Sequence, residues 1–209
     1  MPEVDPAKVV LGQYVGYCDE PDVPDDSQAD TYAALQVEVD NWRWAGVKFN
    51  IRTGKKLKRK QTEISLSFRE VPYNVFKGTD ATPLGRDALI IRVQPNEGIT
   101  MALNIKKPGV GLELDRAEME FDYGEEYPGA LIEAYETLLI EAMEGDHTLF
   151  TREDEVERAW EVLDPVLQHR PPVHRYEPGS WGPEEADALI MPRHWHLTPE
   201  SGERAERGL

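Results

Sequence analysis

The chain has 209 residues, 40% hydrophobic and 30% charged, enough for a sizeable core and too apolar for a wholly disordered polypeptide. Its formal net charge of −17 argues against nucleic acid as a partner, and no apolar run reaches the roughly 18 residues that a membrane span needs. The single cysteine, Cys18, allows no internal disulfide, and MPEVDPAKVV lacks the basic start and apolar stretch of a leader, so a reducing, cytoplasmic setting is expected.

Residues 1–26 are expected to be irregular, because GQYVGY runs into the turn-rich EPDVPDDS. Period-two alternation follows. Leu35, Val37 and Val39 alternate with polar residues, as do Ile64, Leu66 and Phe68, then Met101, Leu103 and Ile105, then Met119, Phe121 and Tyr123. That pattern predicts half-buried strands with the apolar side on a core. Residues 47–52 and 88–93 read as two further strands. The short, turn-rich links between strands favour antiparallel pairing.

The period then becomes helical. Leu131, Tyr135, Leu138, Leu139 and Ala142 share one face, and Gly145 is placed to end that helix. In a second helix, Val156, Ala159, Trp160, Leu163 and Leu167 form the apolar face, Thr151 is the expected N-cap, and Pro165 predicts a kink or an early stop. GSWGPEEADAL reads as a turn and a short helix with Pro183 in its first turn. The expected fold is therefore α+β: a large, mostly antiparallel sheet with helices packed on one face, as a single domain over residues 27–196. Residues 197–209 have no apolar periodicity and are expected to be a disordered tail.

One stretch breaks the acidity. No carboxylate lies between Asp40 and Glu63, a span that holds Arg43, Lys48, Arg52, Lys55, Lys56, Lys58, Arg59 and Lys60. Within it, RTGKKLKRK leaves a predicted strand, turns at Gly54 and presents lysines at once, an arrangement suited to a phosphate dianion. In IRVQPNEGI, Gln94 falls at a strand end and can offer both donor and acceptor to a sugar hydroxyl. Trp42 and Trp44 in VDNWRWAGV suggest a sugar-stacking surface, with at least one of them expected in the core. The five histidines all lie in the last third, and His194 and His196 lack a third ligand, so no metal site is expected. The residues carry no GxGxxG, GxxxxGK[ST] or GxSxG signature.

DNWRWAGV, RTGKKL, IRVQPNEGI, KKPG at Lys106–Gly109, AYETLLIEAMEGDHTLF, DEVERAW and GSWGP occur here in an order and spacing that resemble the carboxy-terminal domain of the glucose-6-phosphate dehydrogenase family, from about Gly12 to Ala188. The resemblance implies a sheet that forms much of a dimer interface. It implies that Lys55 contacts the phosphate of glucose 6-phosphate, that Gln94 lies near the sugar, and that Lys60 belongs to the basic region beside them. The complete family enzyme uses NADP to oxidise glucose 6-phosphate to 6-phosphogluconolactone, in the pentose phosphate pathway. Some relatives hold a second, structural NADP through a tyrosine and a lysine that match Thr100 and Ala102 here, so no second site is expected.

The departures bear equally on function. These residues include neither the family's dinucleotide-binding fold, nor its RIDHYLGK-type segment, nor the later histidine that acts as base. No catalytic residue and no bound cofactor are therefore assigned to this chain alone, and it is expected to be inactive alone. The expected partners are glucose 6-phosphate, held weakly, a second copy of the chain, and a separate nucleotide-binding chain. The alternative is a non-catalytic assembly or sugar-phosphate-binding module.

Overall fold

A computed structural model describes residues 1–69, 73, 85–129 and 134–196. The strands are β1 (Val9–Tyr14), β2 (Tyr32–Glu38), β3 (Lys48–Gly54), β4 (Thr62–Ser67), β5 (Ala88–Gln94), β6 (Gly98–Lys106), β7 (Leu114–Asp122) and β8 (Val173–Tyr176). The helices are α1 (Tyr123–Glu126), α2 (Ala134–Glu144), α3 (Glu153–Gln168) and α4 (Glu185–Ile190). Strands followed by helices give the expected α+β class. Among the described strands only the β1–β8 pair is parallel.

The expected single domain resolves into two compact units, Met1–Arg59 with Glu141–Trp195, and Lys60–Ile140 with His196. The chain leaves the first unit at Arg59, after the basic turn that follows β3, and returns at Glu141, within α2. The expected tail, residues 197–209, lies outside the described residues.

The first unit is built on a four-stranded sheet in the order β3-β2-β1-β8. Residues 9–14 therefore form a strand, which corrects the reading of 1–26 as irregular. The cause is burial: β1 is flanked on both sides, and Val9, Leu11, Gly12, Gln13 and Tyr14 are all buried. A strand covered on both faces shows no polar alternation to read. Val9, Leu11 and Val37 on one face pack with Val4 and with Val162 and Val166 of α3, one helical turn apart. Tyr14, Tyr32, Ala34 and Tyr176 on the other face pack with Ala186 of α4. The sheet is thus covered by a long helix on one side and a short one on the other.

Helix α3 begins one residue later than expected. Its N-cap is Arg152, whose N–H donates to Glu155 Oε2 at 3.3 Å, and not Thr151. It also runs through Pro165 to Gln168 without stopping there. Gly145, at φ +74°, follows α2 as expected, in the left-handed region that favours glycine.

The second unit is an antiparallel meander, β4-β5-β6-β7. Its register places Met101 opposite Met119 and Leu89, and Ile99 opposite Phe121 and Ile91. The strands fall where alternation put them, but the buried face is the other one. Ala88, Ile90, Thr100 and Ala102 are 1–2% exposed, whereas Ile64 is 54%, Met119 58%, Phe121 38% and Ile99 37% exposed. Alternation identifies two chemically distinct faces. It does not say which one the chain itself covers.

Candidate functional site

Strand β3 ends at Gly54, opposite Tyr32, and a Cβ at Gly54 would come within 2.7 Å of the Tyr32 ring. Glycine is needed there so that the chain can turn against the aromatic ring. The next residue, Lys55, is fixed through its backbone on both sides. Its N–H donates to Thr31 O at 2.8 Å, and its carbonyl accepts from Tyr176 Oη at 2.8 Å. Its side chain is left exposed. Lys56 lies in the left-handed region, at φ +48°, and its carbonyl accepts from the N–H of Gly179 at 2.8 Å. Lys58 N–H donates to Ser180 O at 2.8 Å. The basic loop is thereby laced to the turn formed by GSWGP.

The cations around Lys55 are held by other groups. Lys56 Nζ pairs with Glu20 and stands 4.6 Å from the centre of the Tyr14 ring. The Arg52 guanidinium lies 5.1 Å from the Trp181 ring and 4.7 Å from that of Trp195, and Arg59 also stacks on Trp181, at 5.6 Å. Such contacts favour arginine over the more strongly hydrated lysine.

Three tyrosines support the loop from below, and burial raises the pKa of each. In Tyr14 the neighbouring Glu20 carboxylate adds to the effect. Tyr176 is raised chiefly by burial, and its hydrogen bonds pull back. Tyr32, 2% exposed, is pushed up from 10.0 to about 12 by burial, with the charge on Arg52 opposing. The folded value lies above the unfolded one, so this contribution to stability is complete below pH 10. It is lost as pH rises from 10 to about 12. Two pKa units correspond to roughly 2–3 kcal/mol. Tyr32→Phe should therefore flatten the alkaline fall in stability, read from denaturant melts across that interval. Identical falls in variant and parent would exclude Tyr32 as the cause.

Gln94 and Lys60 belong to the second unit. Gln94 closes β5 opposite Thr62, with an exposed side chain, and Lys60 is exposed two residues before Thr62. These two predicted site residues thus sit at the same end of the second sheet, while Lys55 belongs to the first unit. On the same strand as Gln94, Arg92 donates to Asn96 O at 3.0 Å and to Thr100 Oγ1 at 2.9 Å, and pairs with Glu120 and Asp122.

The tryptophans part company. Trp44 packs edge-on against Phe49 at 5.4 Å, and Trp42 is fully exposed. Asn41 Oδ1 accepts from the N–H groups of Arg43 and Trp44, which shapes this turn. His174 Nδ1 lies 2.9 Å from Glu185 and ties β8 to α4, and His196 Nδ1 is 3.7 Å from Glu63. Among the described residues no cluster of three His, Cys, Asp or Glu side chains could hold a metal ion. The supporting groups that spacing did not reveal are Thr31, Tyr176 and the Glu20–Lys56 pair. GSWGP was the one sequence signal for the turn that carries Gly179 and Ser180.

Comparison with known proteins gives the family. Residues 1–196 match the family described as glucose-6-phosphate dehydrogenase, C-terminal domain. A glucose-6-phosphate 1-dehydrogenase of Aggregatibacter actinomycetemcomitans is 44% identical over 195 residues, covering 87% of this chain and 39% of the relative. A second one, from Mycobacterium tuberculosis strain H37Rv, is 45% identical over 179 residues, covering 84% of this chain and 35% of the relative. The crystal structure of the Mycobacterium avium enzyme superposes with a TM-score of 0.80 at 38% identity, over 95% of this chain and 42% of that one. A glucose-6-phosphate dehydrogenase in complex with glucose 6-phosphate gives 0.81 at 32% identity, over 94% and 43%. The chain thus spans about two fifths of the length of these relatives. Taken with the α+β fold and the basic turn after β3, these matches show that the chain belongs to the glucose-6-phosphate dehydrogenase family and corresponds to its carboxy-terminal domain.

Proposed function

We propose that this chain is the substrate-phosphate-binding and dimerisation portion of an NADP-dependent glucose-6-phosphate dehydrogenase, working in the cytoplasm. The observation that carries this reading is Lys55, whose backbone is fixed from both sides while its ammonium group stays exposed. A compact cation on a pre-set turn suits a phosphate dianion. For Gln94 we keep the role near the sugar that the family resemblance implies, and for Lys60 that of a basic residue of the same family segment. A separate nucleotide-binding chain would supply the coenzyme site and the base, so the chain alone should not reduce NADP with glucose 6-phosphate.

Calorimetric titration tests the phosphate role. The parent should bind glucose 6-phosphate weakly, in the millimolar range. Lys55→Ala should weaken binding by about 10-fold or more, as expected for a lost charge-assisted contact. A parent that gives no heat at millimolar ligand removes this reading.

A second reading, that of an assembly module, is favoured by the second sheet. Ile64, Ile99, Met119 and Phe121 form an exposed apolar face among the described residues, and such faces mark association surfaces. A homodimer through this face fits both readings.

A further inference from the structure

RTGKKLKRK places two lysines side by side after Gly54. Their surroundings differ. Strand β1 ends at Tyr14, Gly16 turns the chain at φ +88°, and a single 3-10 turn over Tyr17–Asp19 delivers Glu20. Tyr14 Oη donates to Glu20 Oε1 at 3.2 Å. Lys56 Nζ pairs with that same carboxylate oxygen, and the ammonium stands 4.6 Å from the centre of the Tyr14 ring. A carboxylate and an aromatic ring thus share one cation. At φ +48° the Lys56 backbone turns its side chain away from the path that an extended strand would give it. Both lysines are held through the backbone and both are exposed, Lys56 with 50% of its side chain accessible, but among the described residues it is the Lys56 ammonium that has a carboxylate and a ring as neighbours.

We infer that Glu20 and Tyr14 act as a clamp that withdraws Lys56, so that Lys55 alone of the adjacent pair is presented to a sugar phosphate. Lys56 and Glu20 are positioning residues in this assignment, which rests on the phosphate role proposed for Lys55. Two further observations agree with it. The hydrogen bond to Glu20 raises the pKa of Lys56, and the hydrogen bond from Lys56 lowers that of Glu20. The Lys56 carbonyl is also held, by the N–H of Gly179, so the turn is braced at its backbone as well as its side chain.

Competitive labelling with an amine-reactive acetyl ester, read residue by residue by tandem mass spectrometry, tests the clamp without any ligand. In the parent, Lys55 should react about two- to five-fold faster than Lys56, the range a partly exposed ion pair can impose. Glu20→Gln should bring the ratio close to one by speeding Lys56. Glu20→Asp, which keeps the charge, should restore part of the difference. A parent ratio near one, or a ratio unmoved by Glu20→Gln, overturns the clamp. Repeating the labelling with millimolar glucose 6-phosphate separates the two ideas. Protection of Lys55 and not of Lys56 in the parent supports both. The expected ratio without any protection leaves the clamp standing and removes the phosphate role of Lys55. Glu20 is partly exposed and lies in a surface turn, so melts of Glu20→Gln should match the parent and show that the comparison is made on folded protein.

Discussion

Gly182→Ala should cost the first unit roughly 2–4 kcal/mol and lower its melting temperature by about 5–15 °C. Two effects combine. Gly182 sits at φ +106°, where an L side chain is strained. A Cβ there would also come within 2.3 Å of the Tyr32 ring. That ring cannot retreat easily, because it is itself buried, and the Tyr176 ring lies 5.6 Å away, centre to centre. The same turn holds the basic loop through Gly179 and Ser180, so the amide of Lys58 should lose protection from hydrogen exchange in parallel. A Gly182→Ala protein that melts with the parent would show that the turn moves aside at little cost. Gly179→Ala serves as the comparison, since its φ of +83° is strained but no neighbour lies within 4 Å. It should cost less than Gly182→Ala.

Met119→Glu is expected to convert the proposed dimer into a monomer. Met119 is 58% exposed and lies opposite Met101 on the open face of the second sheet, so the change should alter the stability of an isolated chain by no more than about 0.5 kcal/mol. In a two-fold dimer through that face it would bury two carboxylates without partners, at several kcal/mol. Sedimentation equilibrium of parent and variant decides the matter. The formal charge of −17 on each copy also opposes association, so parent dimerisation should tighten as salt is added. A parent that stays monomeric at high salt and high concentration would count against the apolar face as an interface.

The second sheet was the most legible part of this chain, and β1 the least. Ser65 and Ser67 interrupt Ile64 and Leu66, so β4 announces itself by alternation. VVLGQY does not, because a strand flanked on both sides and covered on both faces gives no polar rhythm. VHRY failed for a different reason. It is four residues long, follows two prolines, and becomes a strand only by parallel pairing with β1. Lys55 was readable because a glycine turn with lysines has a chemical logic of its own. Its supports were not, since Thr31, Tyr176, Ser180 and Glu20 come from separate segments that only the fold brings together. The burial of Ala88 and Ala102 in place of Ile64 and Met119 was also out of reach, because hydropathy ranks side chains and says nothing of which face the chain covers.

The pairing of β1 with β8 also bears on how the molecule can be made. Leu11 lies beside Val173, and the second unit falls in the sequence between those strands. During synthesis, β4 to β7 can pair locally as soon as they emerge, since each strand joins its neighbour in sequence. The first sheet can pair β1, β2 and β3 early but is completed only by β8. Until residues 173–176 leave the ribosome, the edge of β1 that will accept β8 stays open, and closing so long a loop is slow. The nascent chain therefore carries a finished meander and an unfinished sheet at the same time. That interval is when a chaperone would have most to hold.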